Sequence, residues 1–144
     1  MRNVIVQEKV VENQVRPTVL AEPIPGGIFF TVAALAITTT AGSFLDIDAS
    51  LGALMAGDPG ATVDGGVRIV VDGDASGIGS GVTIDATGND KLVNFSIQGR
   101  VAITPGPHTV ELQWYVASGT SESLIGFINP NLDGCSMCVR EVAL

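Results

Sequence analysis

Charged residues, aromatic residues, histidine and cysteine are all scarce in this sequence of 144 residues. Aromatic residues make up 5% of the chain and charged residues 15%, and there are one histidine and two cysteines. So few cysteines exclude a disulfide-rich scaffold, and a single histidine excludes a histidine-rich metal site within one chain. Seven basic residues stand against fifteen acidic ones, and the net charge of −8 argues against a nucleic-acid or anionic-membrane partner.

Long apolar runs are also missing. The longest one, from Gly27 to Ile37, is about half of the ~20 residues that a membrane-spanning helix needs. The start of the chain lacks the apolar core of a secretion signal, so we expect synthesis in a cytosol and no membrane partner. The abundant residues are Val, Ile, Ala and Leu, together with 18 glycines, a mixture that favours β-strands joined by tight turns.

The charges are unevenly distributed along the chain. Basic and acidic residues balance over residues 1–22, so the remainder carries the whole net charge of −8. Pro23-Ile24-Pro25 followed by two glycines predicts a stiff elbow and a flexible joint. We therefore expect an extended N-terminal arm over residues 1–25 and a β-domain over residues 26–144.

The arm is rich in valine but follows neither a helical period nor strict alternation for long. An extended apolar segment of this kind is expected to add to a sheet edge or groove on a partner subunit. The alternative is that the arm packs back on its own domain as a first strand. The arm residues expected to contact the partner are Val4, Val6, Val10, Val11, Val15, Val19 and Leu20.

The remainder of the chain consists of short strand patterns separated by Gly, Pro, Asn and Asp clusters. Ile28–Thr38 is nearly all apolar and is expected to be buried on both faces, whereas 72–81 is expected to be a long turn and Gly99 a bulge or strand break. About eight strands without an amphipathic helix predict an all-β, antiparallel two-sheet sandwich, a jelly roll. The predicted strands are 28–38, 44–51, 67–71, 82–86, 92–103, 108–117, 124–128 and 137–142.

Two segments near the C-terminus resemble a known group of proteins. Residues 105–120 read Pro-Gly-Pro-His-Thr-Val-Glu-Leu-Gln-Trp-Tyr-Val-Ala-Ser-Gly-Thr, and residues 136–142 form a closing strand with an acidic residue near its end. Together they resemble the C-terminal hairpin of trimeric jelly-roll domains in tailed-phage virion proteins, which are related in shape to tumour-necrosis-factor and C1q heads. The resemblance implies a homotrimeric bacteriophage virion protein.

Such domains serve either as head-decoration (cement) proteins or as fibre and receptor-binding tips. A fibre tip usually follows a stalk of heptads or collagen-like repeats, and this sequence carries only a short arm, which favours a decoration protein. The expected partners are the chain itself as a homotrimer, and the major capsid protein or neighbouring decoration subunits on the outer capsid surface. The alternative is a receptor- or carbohydrate-binding tip, in which Tyr115 would anchor an interface or stack on a sugar.

The residues that could carry chemistry are few, and we expect neither an enzyme nor a cofactor. His108 heads a strand, and no Gly-x-Ser-x-Gly nucleophile motif accompanies it. Cys135-Ser-Met-Cys138 precedes a terminal strand instead of a helix, which favours buried thiols. A disulfide across the turn, or a metal shared between subunits, remains as an alternative.

The Asp-rich and Gly-rich motifs are also interpreted as turn or surface residues before any chemical role. Asp72-Gly-Asp74, Asp46-x-Asp48 and the Asp85–Asp90 region are first of all turn and surface residues, with a bound cation or a glycosidase pair as alternatives. Gly77-x-Gly79-x-Gly81 lacks the lysine and the helix of a phosphate loop, so we expect turn residues and no nucleotide site.

Overall fold

The computed structural model describes residues 4–13, 28–40, 44–56, 61–86, 91–117, 125–128 and 135–143. These residues form nine β-strands: β1 Val4–Asn13, β2 Ile28–Thr39, β3 Phe44–Ala56, β4 Ala61–Val71, β5 Asp74–Ala86, β6 Lys91–Ala102, β7 Gly106–Ala117, β8 Ile125–Ile128 and β9 Cys135–Ala143. Within these ranges no helix is long and apolar enough to span a membrane.

The strands form two antiparallel sheets. The five-stranded sheet A has the order β1-β9-β3-β6, with β8 also paired to β3, and the four-stranded sheet B has the order β2-β7-β4-β5. The chain crosses repeatedly from one sheet to the other, and its first and last strands lie side by side in sheet A. This winding is that of a jelly roll, and it confirms the predicted fold class.

The core lies between the sheets because side chains alternate between the two faces of each strand. Trp114 of β7 meets Phe95 of β6 edge to face across the core, with ring centroids 5.6 Å apart. The prediction that Trp114 belongs to the core is therefore confirmed. The largest apolar side chains that are fully buried are those of Ile37, Leu45, Ile47, Leu51, Ile69, Leu112, Trp114 and Met137.

The expectation that β2 is buried on both faces is wrong. Val32 and Ile37 are buried, whereas Phe29 is exposed, as are Ala34 and Ala36. The physical reason is that β2 belongs to one of two packed sheets, so one of its faces meets the core and the other faces outward. The apolar composition of β2 therefore does not indicate that both of its faces are buried.

The expected long turn over 72–81 is also wrong. Asp72 and Gly73 alone form the turn, with φ angles of 51° and 86°, and β5 begins at Asp74. Two consecutive positive φ angles are typical of the tight hairpin turns that Asp-Gly favours. The glycines that follow belong to the edge strand β5, which pairs with β4 and has a register irregularity opposite Arg68 and Val70.

Gly99 marks neither a bulge nor a break, because β6 pairs without interruption with β3 and Gly99 lies opposite Ile47. A Cβ atom on Gly99 would lie 2.6 Å from Cγ1 of Ile78, a side chain of β5 in the other sheet. The absence of a side chain on β6 lets Ile78 close the sandwich at this edge.

Residues 4–13 of the N-terminal segment adopt the alternative arrangement, a first strand on their own domain. β1 pairs antiparallel with β9 from Val4 opposite Ala143 to Asn13 opposite Cys135. β1 thereby becomes the edge strand of sheet A, which would otherwise end at β9. The hinge and the boundary at residue 25 lie outside the described residues, as do Val15, Val19, Leu20 and the side chain of Tyr115.

Candidate interaction surface

The edge strand β1 exposes four large apolar side chains to solvent, and these four residues are called the apolar row below. The exposed fractions are 56% for Val4, 59% for Ile5, 43% for Val6 and 56% for Val10. Among the described residues, Phe29 is the one other large apolar side chain that is exposed to this degree. Clustered apolar exposure of this kind typically marks an interaction surface.

The predicted contact residues of the arm thus separate into two groups. Val4, Val6 and Val10 are exposed, whereas Val11 is half-buried and packs against the core. Ile5 was missed by the sequence analysis although it lies in the same apolar run. Alternation could not identify it, because the register between β1 and β9 shifts between Ile5 and Gln7.

The free backbone edge of β1 lies beside these side chains. In the described part of the chain β1 pairs with β9 alone, so its other edge can accept a further strand. Two side chains tie β1 to sheet B: Gln7 Nε2 donates to the carbonyl of Thr38 at 2.7 Å, and Lys9 Nζ donates to that of Ala36 at 2.9 Å. β1 is therefore held on the sandwich from two directions.

A buried carboxylate reinforces this attachment. Glu141 of β9 has no exposed surface, and its Oε2 accepts a hydrogen bond from Gln7 Nε2 at 2.6 Å. Its Oε1 accepts the backbone N–H of Thr40, at the end of β2, at 2.7 Å. A buried carboxylate requires such donors, so Glu141 joins β1, β9 and the end of β2. It is the acidic residue near the end of the closing strand, and its burial could not be read from the sequence.

Ion pairs cross the outer face of sheet A next to the apolar row. Arg140 lies 2.6 Å from both Glu8 on β1 and Asp48 on β3, and Arg100 forms a two-point hydrogen bond with Asp46. The hydrogen bond from Arg100 lowers the pKa of Asp46. The hydrogen bond between Arg140 and Asp48 contributes most to raising the pKa of Arg140. These carboxylates are neutralised by arginine, which does not support a cation site at Asp46-x-Asp48.

The cysteine and metal alternatives are constrained by the same sheet. Cys135 and Cys138 both lie in the extended strand β9, so their Cα atoms are about 10 Å apart, too far for a disulfide. Burial raises the pKa of the half-buried Cys138 thiol, which is not a reactive thiolate. Within the described ranges no three His, Cys, Asp or Glu residues are placed to hold a metal ion.

His108 has a hydrogen-bond partner at each of its two ring nitrogens. Nδ1 is 2.7 Å from Asp72 Oδ2, and Nε2 is 2.7 Å from the carbonyl oxygen of Thr104. The ring borders an open groove of about 580 Å³ that Ser76 also lines. The Ser76 hydroxyl donates to the carbonyl of Ile69 at 2.8 Å, so this arrangement does not form a serine nucleophile with a histidine base.

The outer face of sheet B carries a second exposed feature that the sequence analysis missed. The Arg68 guanidinium lies 3.4 Å from the ring centroid of Phe29, and its Nε donates to Gln113 Oε1 at 2.9 Å. A groove of about 530 Å³ runs from these two side chains along the glycines of β5. Tyr115 pairs with Phe29 in the β2–β7 register.

Comparisons with known proteins identify the fold. No protein-family model and no curated protein sequence matches the chain. The structure of the Gt strain of infectious bursal disease virus aligns over 94% of this chain and 32% of the viral chain, with 17% identity and a TM-score of 0.53. That of the Gx strain aligns over 95% and 32%, with 18% identity and a TM-score of 0.51. The chain therefore spans about a third of the viral chains that it matches, and it shares with them the jelly-roll fold.

Proposed function

We propose that the protein is a non-enzymatic structural virion protein, a capsid decoration protein that forms a homotrimer on the outer surface of a bacteriophage head. The edge of β1 is proposed to contact the major capsid protein or neighbouring decoration subunits. The observation that carries the proposal is the exposure of Val4, Ile5, Val6 and Val10 on a strand whose second edge pairs with no strand in the described part of the chain.

The attachment of β1 to the sandwich favours this role. Fixing a residue of a free arm costs roughly 1–2 kcal/mol of backbone entropy, which a disordered clasp would lose on binding. β1 is already ordered by its ladder with β9 and by the Gln7 and Glu8 side chains. Burial of its apolar side chains, worth ~25 cal/mol per Å², can therefore contribute to association directly. Repetition of the contact around a shell adds avidity.

Two further observations support a structural role in a virus. The chain shares its fold with structures of infectious bursal disease virus. The single histidine has both ring nitrogens occupied, which removes the most common general base from consideration. The trimeric state and the phage head location come from the resemblance of residues 105–120 and 136–142 to phage jelly-roll domains.

The experiment that tests the proposal is the triple substitution Val4→Thr, Val6→Thr and Val10→Thr in the full chain. Threonine keeps the branched shape and strand preference of valine but makes the row polar. We expect each substitution to change the free energy of unfolding by less than about 0.5 kcal/mol. Sedimentation equilibrium of the wild type is expected to show a trimer that associates further with concentration, and the triple variant is expected to lose this further association.

The matched control is Val11→Thr, which lies in the same strand but packs against the core. It should destabilise the fold, by about 1 kcal/mol, and leave association at a given folded fraction unchanged. A wild type that remains monomeric at all concentrations would contradict the trimer, and a triple variant that associates like the wild type would contradict the role of the β1 edge.

The receptor- or carbohydrate-binding tip remains a second candidate, because Phe29 and Arg68 border the groove along β5. Grooves with an exposed ring and a few directed polar groups are typical of small-ligand sites. A glycan array probed with the wild type, Phe29→Ala and Tyr115→Ala tests this candidate. Binding by the wild type that Phe29→Ala abolishes would favour it, and no binding by the wild type would exclude the glycans tested.

A further inference from the structure

His108 is the single histidine of the chain, and its ring is placed between two hydrogen-bond acceptors. Nδ1 faces a carboxylate oxygen of Asp72, and Nε2 faces the backbone carbonyl of Thr104, each at 2.7 Å. A neutral imidazole carries one N–H and can donate to one of the two oxygens. An imidazolium carries two and can donate to both.

The two acceptors belong to different segments of the same end of the sandwich. Asp72 is the first residue of the β4–β5 turn, and its carboxylate also accepts the backbone N–H of Thr109 at 2.8 Å. Thr104 lies between β6 and β7, and its carbonyl also accepts the hydroxyl of Thr39, at the end of β2, at 3.0 Å. His108 therefore links the β4–β5 turn to the β6–β7 connection, which in turn contacts β2.

We propose that His108 is a proton-dependent clamp on this end of the jelly roll. In the imidazolium form it donates to Asp72 and Thr104 at once and holds the two connections together. Loss of one proton removes the hydrogen bond from His108 to one of the two acceptors, so the clamp opens as the pH rises. The proposal does not rest on the proposed virion function, and failure of either leaves the other standing.

The surroundings of the ring favour the charged form. Asp72 from the β4–β5 turn and Asp74 from β5 line the groove beside His108, together with Ser76 and Thr104. Neither lysine nor arginine is among the described residues that line it. The hydrogen bond with Asp72, followed by that with the Thr104 carbonyl, raises the pKa of His108 above its ordinary value of 6.5, and the same Asp72 contact lowers the pKa of the carboxyl group.

The sign of the pH effect follows from this direction. A pKa that is higher in the folded chain than in the unfolded chain contributes stability that is fully present below about 6.5. That stability is lost as the pH rises through the folded-state pKa. We therefore expect this end of the sandwich to loosen as the pH rises above 6.5.

The first test is an NMR titration of the His108 ring protons in the wild-type protein, where a single histidine makes the assignment unambiguous. We expect a titration midpoint above 6.5 that falls in Asp72→Asn. Asparagine tolerates the positive φ of 51° and keeps an oxygen for the Thr109 N–H, so the variant removes the charge and leaves the turn. Asp74→Asn is the matched control: it lines the same groove without a hydrogen bond to the ring, and a smaller fall is expected.

The second test compares the melting temperatures of the wild type and His108→Gln at pH 5.5 and pH 9. At pH 5.5 the wild type should melt at a higher temperature than His108→Gln. At pH 9 this difference in melting temperature should disappear. A His108 midpoint at or below 6.5, or one that Asp72→Asn does not lower, would overturn the clamp. So would a stability difference between wild type and His108→Gln that is the same at both pH values.

Discussion

The β1–β2 edge and the β5–β6 edge of the sandwich are closed in opposite ways. At the first edge, polar side chains join the sheets through the Gln7–Thr38, Lys9–Ala36 and Glu141–Thr40 hydrogen bonds. At the second edge, the apolar side chain of Ile78 fills the space above Gly99. The edge closed by polar side chains leaves Val4, Val6 and Val10 of β1 exposed to solvent, whereas the edge closed by an apolar side chain packs Ile78 against the core.

This difference indicates which edge is available to a partner. At the β5–β6 edge the apolar side chain of Ile78 already packs within the chain, so its burial against a partner would add little stability. Among the described residues, β1 combines exposed large apolar side chains with a backbone edge that pairs with no strand, the two features that association can use. The comparison therefore supports the β1 edge as the proposed contact surface, and substitutions at each edge can test it.

The largest effect is expected on deletion of residues 2–13. The jelly roll would lose its first strand, β9 would become an edge, and Glu141 would lose its Gln7 donor. We expect a loss of about 5 kcal/mol or more, comparable with the whole stability of a small domain. Thermal unfolding followed by circular dichroism measures the change. A truncated chain that unfolds as cooperatively as the wild type, at the same temperature, would mean that β1 contributes little to the sandwich.

Glu141→Ala is expected to have the next largest effect. It removes the acceptor of the Gln7 amide and of the Thr40 N–H and leaves space in a fully buried position. We expect destabilisation of about 3 kcal/mol in urea unfolding. Glu141→Gln keeps the shape and one acceptor oxygen and should cost less, about 1 kcal/mol. Equal losses for the two variants would indicate that the charge, and not the shape, stabilises the β1–β2 edge.

Gly99→Ala tests the opposite edge and should have a smaller effect. The new Cβ would approach Ile78 Cγ1 to 2.6 Å, and this overpacking is expected to cost about 1–3 kcal/mol in urea unfolding. Adding Ile78→Ala should relieve part of the loss, because it removes the atoms that clash. The control Ser96→Ala, on an exposed position of the same strand, should change stability by less than about 0.5 kcal/mol. If the double variant is no more stable than Gly99→Ala, the contact with Ile78 is not the reason for the glycine.

The elements that were predicted well are those whose signal is local. In β7, Val110, Leu112 and Trp114 alternate with polar residues, and the structure buries all three. The Asp-Gly dipeptide at 72–73 indicated a turn, and a turn is present. The turn was predicted too long because a glycine-rich stretch has the same composition in a loop and in an edge strand.

The features that were missed depend on residues far apart in the chain. The role of Gly99 follows from Ile78 in the other sheet, and the place of β1 follows from β9 at the opposite end of the chain. The apolar run of β2 could not reveal that it lies at a sheet edge. His108 was recognised as the head of a strand, but its two acceptors became visible only when the β4–β5 turn and the residues before β7 were brought together.

The sequence by itself determined the all-β class, the antiparallel sandwich and the core face of its clearest strand, because alternation and turn composition act between neighbouring residues. The tertiary structure alone decided which strands form the edges, and so which valines remain exposed. It also decided that Glu141 is buried and that His108 bridges two connections. These properties arise from pairings between distant segments, and the free energy of such a pairing depends on both partners rather than on either local sequence.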